Sequence, residues 1–495
     1  MPESLFENLF VFEMANNHQG SRQHGLNLIA ELAEIKDRHG INAAVKFQYR
    51  DLETFVHKDA DDSSNKHIKR FRETAISDDD FLAMIEAVRA VDMKVMITPF
   101  DERSVTKAIA HGVDILKIAS CSAKDTPLLA AAAATGKPLI CSTGGCDVST
   151  IDALYAYLKP RCEQLAILHC VALYPSPATN LHMNIIDRMM RRYEGVTIGY
   201  SGHEDPSDTG IVTIAAAKGC RIFERHVGLP TDTVTLNGYS MNPAQTSAWV
   251  LAALHAASAC GPTQDKIITE GESSSLLDLS RGVFARETIP NGDPLNKDQL
   301  YIAFPRQSGQ AAPGTLPEGG MATLSYEPHA PIQQICDNIV IDYAEQHMTT
   351  FRAMFNEAGV RVLDPVGVEL SHHFGLENFS QTGALLITAV NGDYCKKVIA
   401  MLPGQNHPEH THTDRDETFH LLWGDLTLVL DGKDKQLQIG ELVTIKQGTG
   451  HSFSSQNGAI LDEITGSYEG GTSSYRNPEI QKLGNDQRKT KVLRW

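Results

Sequence analysis

The sequence predicts two different folds in one chain: a (β/α)8 barrel in the first half and an antiparallel jelly roll at the end, with a small β-rich module between them. Three observations carry this. Eight short β-branched apolar runs alternate with helix-like stretches between Leu9 and Val227. Each of those runs starts apolar and finishes in polar residues capable of chemistry. Beyond Gly383 the pattern becomes alternating strands separated by Gly-rich turns. A chain of 495 residues also exceeds what one hydrophobic core organises, since domains run to about 150–250 residues. The expected boundaries are 1–262 for the barrel, 280–332 for the module, and 333–495 for the jelly roll with a leading helix.

The eight runs open at Leu9, Ala43, Lys94, Ile115, Pro138, Leu165, Val196 and Cys220. Continuous apolar runs of this length suit strands buried on both faces, as in a parallel sheet. DDFLAMIEAVRAVD and TPLLAAAAATG read as helices between them. Such barrels build their active sites at the C-terminal ends of the strands. The residues falling there are Glu13, Asn17, Lys46, Gln48, Asp101, Lys117, Ser120, Ser142, Thr143, Tyr174, His203, Glu224 and His226. Any one of them alone is as readily a helix cap or a loop tie. Polar termini on all the runs, in phase, point to a shared site.

The stretch TQDKIITEGESSSLLDLS reads as a helix end followed by a connector. SRGVFARETIPNGDPLNKDQLYIAFPRQSGQAAPG then gives short strands broken by Pro, Asn and Gly. NIVIDYAEQHMTTFRAMFNEAG is helical, and strands follow at GALLITAV, CKKVIAML, TFHLLWG, LTLVLDG and GELVTIK. That succession is the pattern of an antiparallel barrel or jelly roll. Inside it Gly404, His410, His412, Glu417 and Gly424 are answered by Gly440 and His451. Residues two apart on a strand share a face, so His410 and His412 can grip one ion. Glu417 and His451 complete a set of three imidazoles and a carboxylate, which suits a divalent manganese, zinc, iron or nickel.

Bulk properties narrow the class. A net charge of −17 opposes general affinity for nucleic acid or anionic membrane, so any anionic substrate must be held by a few local cations and N–H groups. Nine cysteines include no C-x2-C pair, and MPESLFENLF lacks the basic and apolar stretches of a secretion signal. No apolar run approaches the ~20 residues that span a bilayer. A cytoplasmic enzyme or binding protein is expected.

The barrel half resembles the sialic acid synthases, which condense phosphoenolpyruvate with an aldose. The matching segments are Glu13 to Gly20 (E-x3-N-H-x-G), VKFQ, TPFD, LKIAS, STG, HC-x3-YP, GYS-x-H and E-x-H, in family order. The resemblance implies that His203 and His226 hold a divalent metal, manganese or magnesium. It implies that Lys46, Lys117, Ser120, Ser142, Tyr174 and Ser201 hold phosphoenolpyruvate, and that Glu13, with Asn17 and Gln48, meets the sugar. Glu224 joins Glu13, His203 and His226 as a catalytic candidate. A metal with open positions would act as a Lewis acid on the aldehyde, and Lys46, Lys117 and Arg225 would supply cations at the mouth. The product would be a 2-keto-3-deoxy sugar acid, a nonulosonate or an octulosonate. Departures stand at Ala172 and Arg225, where the family has asparagine and lysine, and at Leu236 to Ser240, which lacks the family's acidic stretch.

The middle module resembles the antifreeze-protein-like (SAF) domain of the same synthases, which implies a domain-exchanged homodimer. Its N-acetyl-sensing arginine is either replaced by Phe304 or displaced to Arg306. The jelly roll matches the cupin family at every ligand position. Among cupins it looks most like D-lyxose isomerases, through Gln405 to His412 and the segment Phe379 to Gly383, with Arg415 where that group has lysine. The expected function is condensation of phosphoenolpyruvate with an aldose by the barrel, with a cupin that isomerises or binds the sugar. The alternatives are a sugar isomerase or epimerase with a degraded barrel, and a sugar-binding regulatory protein.

Overall fold

The computed structural model describes residues 5–60, 65–261, 266–314, 321–322, 324–333, 343–363, 365–466 and 473–492. The chain divides into two compact units, Met1–Lys266 and Ile267–Trp495.

In the first unit the strands β1 (Leu9–Glu13), β2 (Asn42–Tyr49), β3 (Lys94–Pro99) and β4 (Ile115–Ile118) lie parallel and in order. They continue through β5 (Leu139–Ser142), β6 (Leu165–Cys170), β7 (Thr197–Gly202) and β8 (Ile222–His226), which pairs back with β1 to close the barrel. Strand alternation sends each residue either into the barrel or out to the helices. Leu9, Val11, Ala44, Met96, Ile115, Ile140, Leu168 and Ile222 form the apolar plug inside. Phe10, Phe12, Val45, Phe47 and Phe223 belong to the larger core beneath the helices. Continuing the inward set towards each strand's C-terminus gives Glu13, Lys46, Lys117, Ser142, Ser201, Glu224 and His226. The polar site is therefore stacked directly on the plug.

The helices form where expected. Asp78–Ala90 starts at a capping box between Ser77 and Asp80 and buries Phe81, Met84, Ile85 and Val88, the spacing of one helix face. Thr126–Ala133 starts where Asp125 accepts from the Leu128 N–H. Two strand-end residues prove structural. Asp101 caps helix Glu102–Ala110 by accepting from the Ser104 N–H at 2.7 Å, and the Thr143 hydroxyl donates to the Leu168 carbonyl at 2.9 Å. The expected connector also contains a helix, Glu270–Asp278. Thr269 caps it, and Glu270 and Glu272 in its first turn suit the helix dipole.

In the second unit Gly282–Ala285 and Leu300–Ala303 pair antiparallel. Val283, Ala285, Ile289, Leu295, Ala311, Tyr326 and Ile332 form a small core of their own around this pair. The leading helix is described from Tyr343 to Ala358; the predicted start at residues 338–342 lies outside the described residues. The jelly roll is two antiparallel sheets. One runs in the order Leu442–Ile445, Glu417–Gly424, Ala459–Gly466, Tyr394–Met401, Ala384–Asn391, Gly367–Ser371, Lys489–Lys491. The other runs Lys433–Leu437, Leu426–Leu430, His451–Ser454, Asn406–His412, Ser473–Tyr475. Ile399, Met401, Phe419, Leu421, Leu428, Phe453 and Leu461 fill the space between them.

Candidate functional site

At the C-terminal end of the barrel lies a cavity of about 1140 Å³. Its walls include Glu13, Asn17, Lys46, Gln48, Lys117, Ser120, Ser142, Tyr174, Ser201, His203, Glu224 and His226, and leave out Asp101, Thr143 and Arg225. Register explains the convergence: Glu13 stands opposite Lys46 on one side and His226 on the other, and Ser201 stands between Cys170 and Glu224.

The floor is a buried chain of charges. Lys46 Nζ pairs with Glu13 and lies 2.9 Å from Glu224 Oε1. Lys117 Nζ lies 3.7 Å from the same oxygen and donates to Ser142 Oγ at 2.6 Å. Ser201 Oγ donates to Glu224 at 2.9 Å. Burial works to raise the Glu224 carboxyl, but Lys117, Lys46 and the Ser201 hydroxyl outweigh it and hold it at about 2. Burial lowers the Lys46 ammonium to about 8 despite Glu224. Ser120 Oγ accepts from the Gly144 N–H at 2.8 Å; a Cβ on Gly144 would come within 2.9 Å of that oxygen. Glycine in the STG segment is thus required by close approach.

Beside this floor the His203 and His226 rings lie 5.3 Å apart, centre to centre. Burial lowers His203 to about 4 and His226 well below the ordinary imidazole range, so both are neutral at physiological pH. The Val171 carbonyl lies 3.2 Å from His203 Nδ1 and fixes the proton there, which frees Nε2. The buried His226 Nδ1 has no partner. Two neutral imidazoles with a free nitrogen each are what a divalent cation requires of this pair.

Other candidates divide by what they touch. Asn17 uses Nδ2 on the Val227 carbonyl at 2.7 Å and on Ser240 Oγ at 3.1 Å, so it also anchors the loop after β8. Gln48 Nε2 donates to Glu13 at 3.4 Å. The Tyr174 ring lies 4.4 Å from that of His203, tilted by 60°, and remains half exposed. The 236–240 segment, which lacks the family's carboxylate, supplies Tyr239, whose ring lies 5.1 Å from His226 and 5.3 Å from Tyr174. An aromatic between the turn residues Gly238 and Ser240 was the available signal for it. Arg306 belongs to the other unit, where its Nε donates to the Gln310 carbonyl at 2.8 Å.

Arg225 corrects an expectation. It sits between the inward Glu224 and His226, so alternation turns it outward. There it is buried with Nη1 2.6 Å from Glu204 Oε1 and Nη2 2.8 Å from the Glu204 carbonyl. The Tyr200 hydroxyl donates to the same carboxylate. Arg225→Met is therefore expected to lower stability by about 3–5 kcal/mol by leaving Glu204 buried and unpaired. Denaturant unfolding and the KM for phosphoenolpyruvate check this; a KM raised tenfold at unchanged stability would put Arg225 back in the mouth.

In the jelly roll His410, His412, Glu417 and His451 are all buried and each offers one ligand atom within 4.8 Å of the others. His410 Nδ1 and His451 Nδ1 face the Pro408 and Thr449 carbonyls at 3.0 and 3.1 Å, which leaves their Nε2 atoms for a cation. Arg415 donates to His412 Nδ1 at 2.9 Å, so His412 Nε2 holds the proton and lies 3.0 Å from Glu417. A cation held by His412 Nε2 would need the imidazole proton on Nδ1, the atom to which Arg415 donates here. Two residues that were not singled out in the sequence line the same cavity: Lys397 and Glu463, directly paired across two strands with Nζ and Oε1 3.0 Å apart. The signal was a lysine on the inward phase of CKKVIAML, in line with Ile399 and Met401. The cavity itself is about 50 Å³, room for an ion and water.

The first unit is thus a closed (β/α)8 barrel with a lysine–carboxylate floor beside paired histidines, and the second carries a jelly roll with a cluster of three histidines and one glutamate. The chain belongs to the NeuB family, whose model matches residues 34–265, and a cupin domain model matches residues 397–460. It is similar to a solved structure from Chromobacterium violaceum described as spore coat polysaccharide biosynthesis protein E, at 40% identity and a TM-score of 0.61, covering 66% of this chain and 98% of that one. It is 26% identical over 316 residues to the N,N'-diacetyllegionaminic acid synthase of Legionella pneumophila, covering 60% of this chain and 85% of that one. Its C-terminal part is 29% identical over 161 residues to the D-lyxose ketol-isomerase of Cohnella laeviribosi, covering 26% of this chain and 88% of that one. No described helix is long and apolar enough to cross a membrane.

Proposed function

We propose that the barrel condenses phosphoenolpyruvate with an aldose to give a 2-keto-3-deoxy sugar acid and inorganic phosphate. The carrying observation is the buried Glu13–Lys46–Glu224–Lys117–Ser142 chain beside two neutral histidines at the open end of the barrel. Lys46 and Lys117 hold the phosphate and carboxylate of phosphoenolpyruvate, with Ser120 and Ser142 donating hydrogen bonds and Ser201, whose proton goes to Glu224, beside them. Glu224 keeps both lysines charged and in place. Glu13, next to Lys46 and Gln48, faces the sugar and takes a proton as its hydroxyls or the incoming water shift. A divalent cation on His203 and His226 supplies Lewis-acid polarisation of the aldehyde. C3 of the enol phosphate bonds to the aldehyde carbon, water adds at C2, and the C–O bond to phosphate breaks. Ala172 in place of an amide and Leu236 in place of a carboxylate, with Tyr239 beside them, shape the pocket for a sugar other than N-acetylmannosamine.

The cupin reading is ketose–aldose exchange that delivers the aldose. Lys397 and Glu463 beside the ligand set favour it, because a paired acid and base is what proton transfer between C1 and C2 needs. A cavity of about 50 Å³ has to widen to admit a sugar. The antifreeze-like reading of the middle module, and the homodimer that accompanies it, belong to the same proposal; light scattering on the full chain tests the mass.

Incubation of the full chain with phosphoenolpyruvate, manganese and a panel of aldoses, followed by mass spectrometry, is expected to show a new acid. Its mass gives carbon count and nitrogen content together. His203→Ala and His226→Ala are expected to abolish it with the fold intact by circular dichroism. Phosphate release that is absent with every aldose, while free ketoses isomerise, would establish the cupin as the main activity; neither reaction would leave a sugar-binding regulator.

A further inference from the structure

The barrel cavity has a second polar level above its floor. Along β2 the inward side chains rise as Lys46 and Gln48, about 6.6 Å apart along the strand, and Arg50, the first residue after β2, lines the cavity above them. Gln48 ties the levels together, donating to Glu13 below and accepting from Arg50 Nη2 at 2.9 Å above. The Arg50 guanidinium is clamped by two rings, its central carbon 3.6 Å from the centre of Phe100 and 4.1 Å from that of Phe71. Its Nε is buried and has no partner. Arg70 lines the same level, held by Gln19 Oε1 at 3.3 Å and the Asn16 carbonyl at 3.4 Å.

Charge separates the two levels. Among the described residues lining the cavity the carboxylates are Glu13 and Glu224, and both are committed to Lys46 and Lys117 on the floor. Asp101, whose charge reaches Arg50, already accepts from the Asp51 and Ser104 N–H groups. The floor is thus close to neutral, and the surplus positive charge lies at the rim. A guanidinium held flat between rings presents its donors in a fixed plane, the geometry that meets a carboxylate or phosphate.

We propose that the aldose taken by the barrel is anionic, carrying a phosphate monoester or a carboxylate at the end remote from its aldehyde, and that Arg50, flanked by Arg70, receives that group. The inference rests on the condensation reading and adds the substrate class. With its aldehyde beside His203, His226 and Glu13, an extended sugar runs past Gln48 towards Arg50. Phosphoenolpyruvate is the other anion that Arg50 is able to contact, and the test separates the two.

The full chain with manganese and phosphoenolpyruvate is assayed on matched sugars: arabinose against its terminal phosphate ester, and mannose against its terminal phosphate ester and against mannuronate. One charged form is expected to exceed its neutral counterpart at least about tenfold in kcat/KM, and Arg50→Met to cut that ratio about ten- to hundredfold. Arg50→Lys restores part of the ratio and controls for folding. Equal rates on charged and neutral sugars overturn the proposal. So does a ratio unchanged in Arg50→Met, including the case in which only the KM for phosphoenolpyruvate rises. If no sugar condenses, the condensation reading fails separately. Calorimetry with unreactive sorbitol phosphate and sorbitol then decides: phosphate-selective binding lost in Arg50→Met upholds an anionic-sugar site, and its absence overturns it.

Discussion

Lys46→Met is expected to lower kcat/KM for phosphoenolpyruvate by about 10²–10³-fold, the scale of losing one preorganised donor to a charged group. The same change removes the cation between Glu13 and Glu224, leaving Glu224 to Lys117 and Glu13 buried without its ion-pair partner. A stability loss of about 3–5 kcal/mol accompanies it. Lys46→Arg keeps the charge and is expected to recover most of the stability and little of the rate, because the fork does not fit the site of a point charge. The pH profile separates charge from shape. Burial lowers Lys46 to about 8, so its charge is present below that pH and lost above it. Condensation in the wild type should therefore decline about tenfold per pH unit above that point. Stability runs the other way: between about 8 and the ordinary lysine value the unfolded chain binds the extra proton, so this group's contribution to stability rises with pH. A rate that stays flat to pH 10 would show that the ammonium is not the working form.

The architecture was legible in the sequence because its signals are periodic. Apolar runs of strand length set the barrel, and the phase of polar residues at their ends set the site; both follow from alternation and from the rule that the barrel's chemistry sits on one rim. The ligand set of the cupin was legible for the same reason, since His410 and His412 share a phase on one strand. What escaped was pairing between distant segments. Arg225 was read with the mouth because its neighbours Glu224 and His226 are there, yet one residue of phase sends it to Glu204 instead. Asp101 sits at a strand end as a catalytic group would, and only the N–H of Ser104 shows it to be a cap. Lys397 and Glu463 lie 66 residues apart and become a pair only through strand register. The rings that hold Arg50 come from the helix Lys66–Glu73 and from the turn after β3, and no local pattern joins Phe71 to Phe100.

That cross-strand pair in the cupin is the most demanding point to test. Lys397 Nζ and Glu463 Oε1 lie 3.0 Å apart on neighbouring strands, both almost wholly buried. Burial works to raise the Glu463 carboxyl, and Lys397 outweighs it and holds the carboxyl below the ordinary range. Removing either partner strands the other as a buried charge, so Lys397→Met and Glu463→Gln are each expected to cost about 3–5 kcal/mol. The double substitution removes both charges and is expected to regain most of that loss, because a packed neutral pair carries no desolvation penalty. Denaturant melts of the full chain read this cycle through the cupin transition. Catalysis behaves differently: if Lys397 and Glu463 move the proton between C1 and C2, solvent deuterium exchange into a ketose stays absent in the double variant even though stability returns. Recovery of exchange together with stability would reduce the pair to a structural tie. Exchange absent from the manganese-loaded wild type would leave the cupin as a binding module, with its three histidines and Glu417 holding the ion for recognition rather than for turnover.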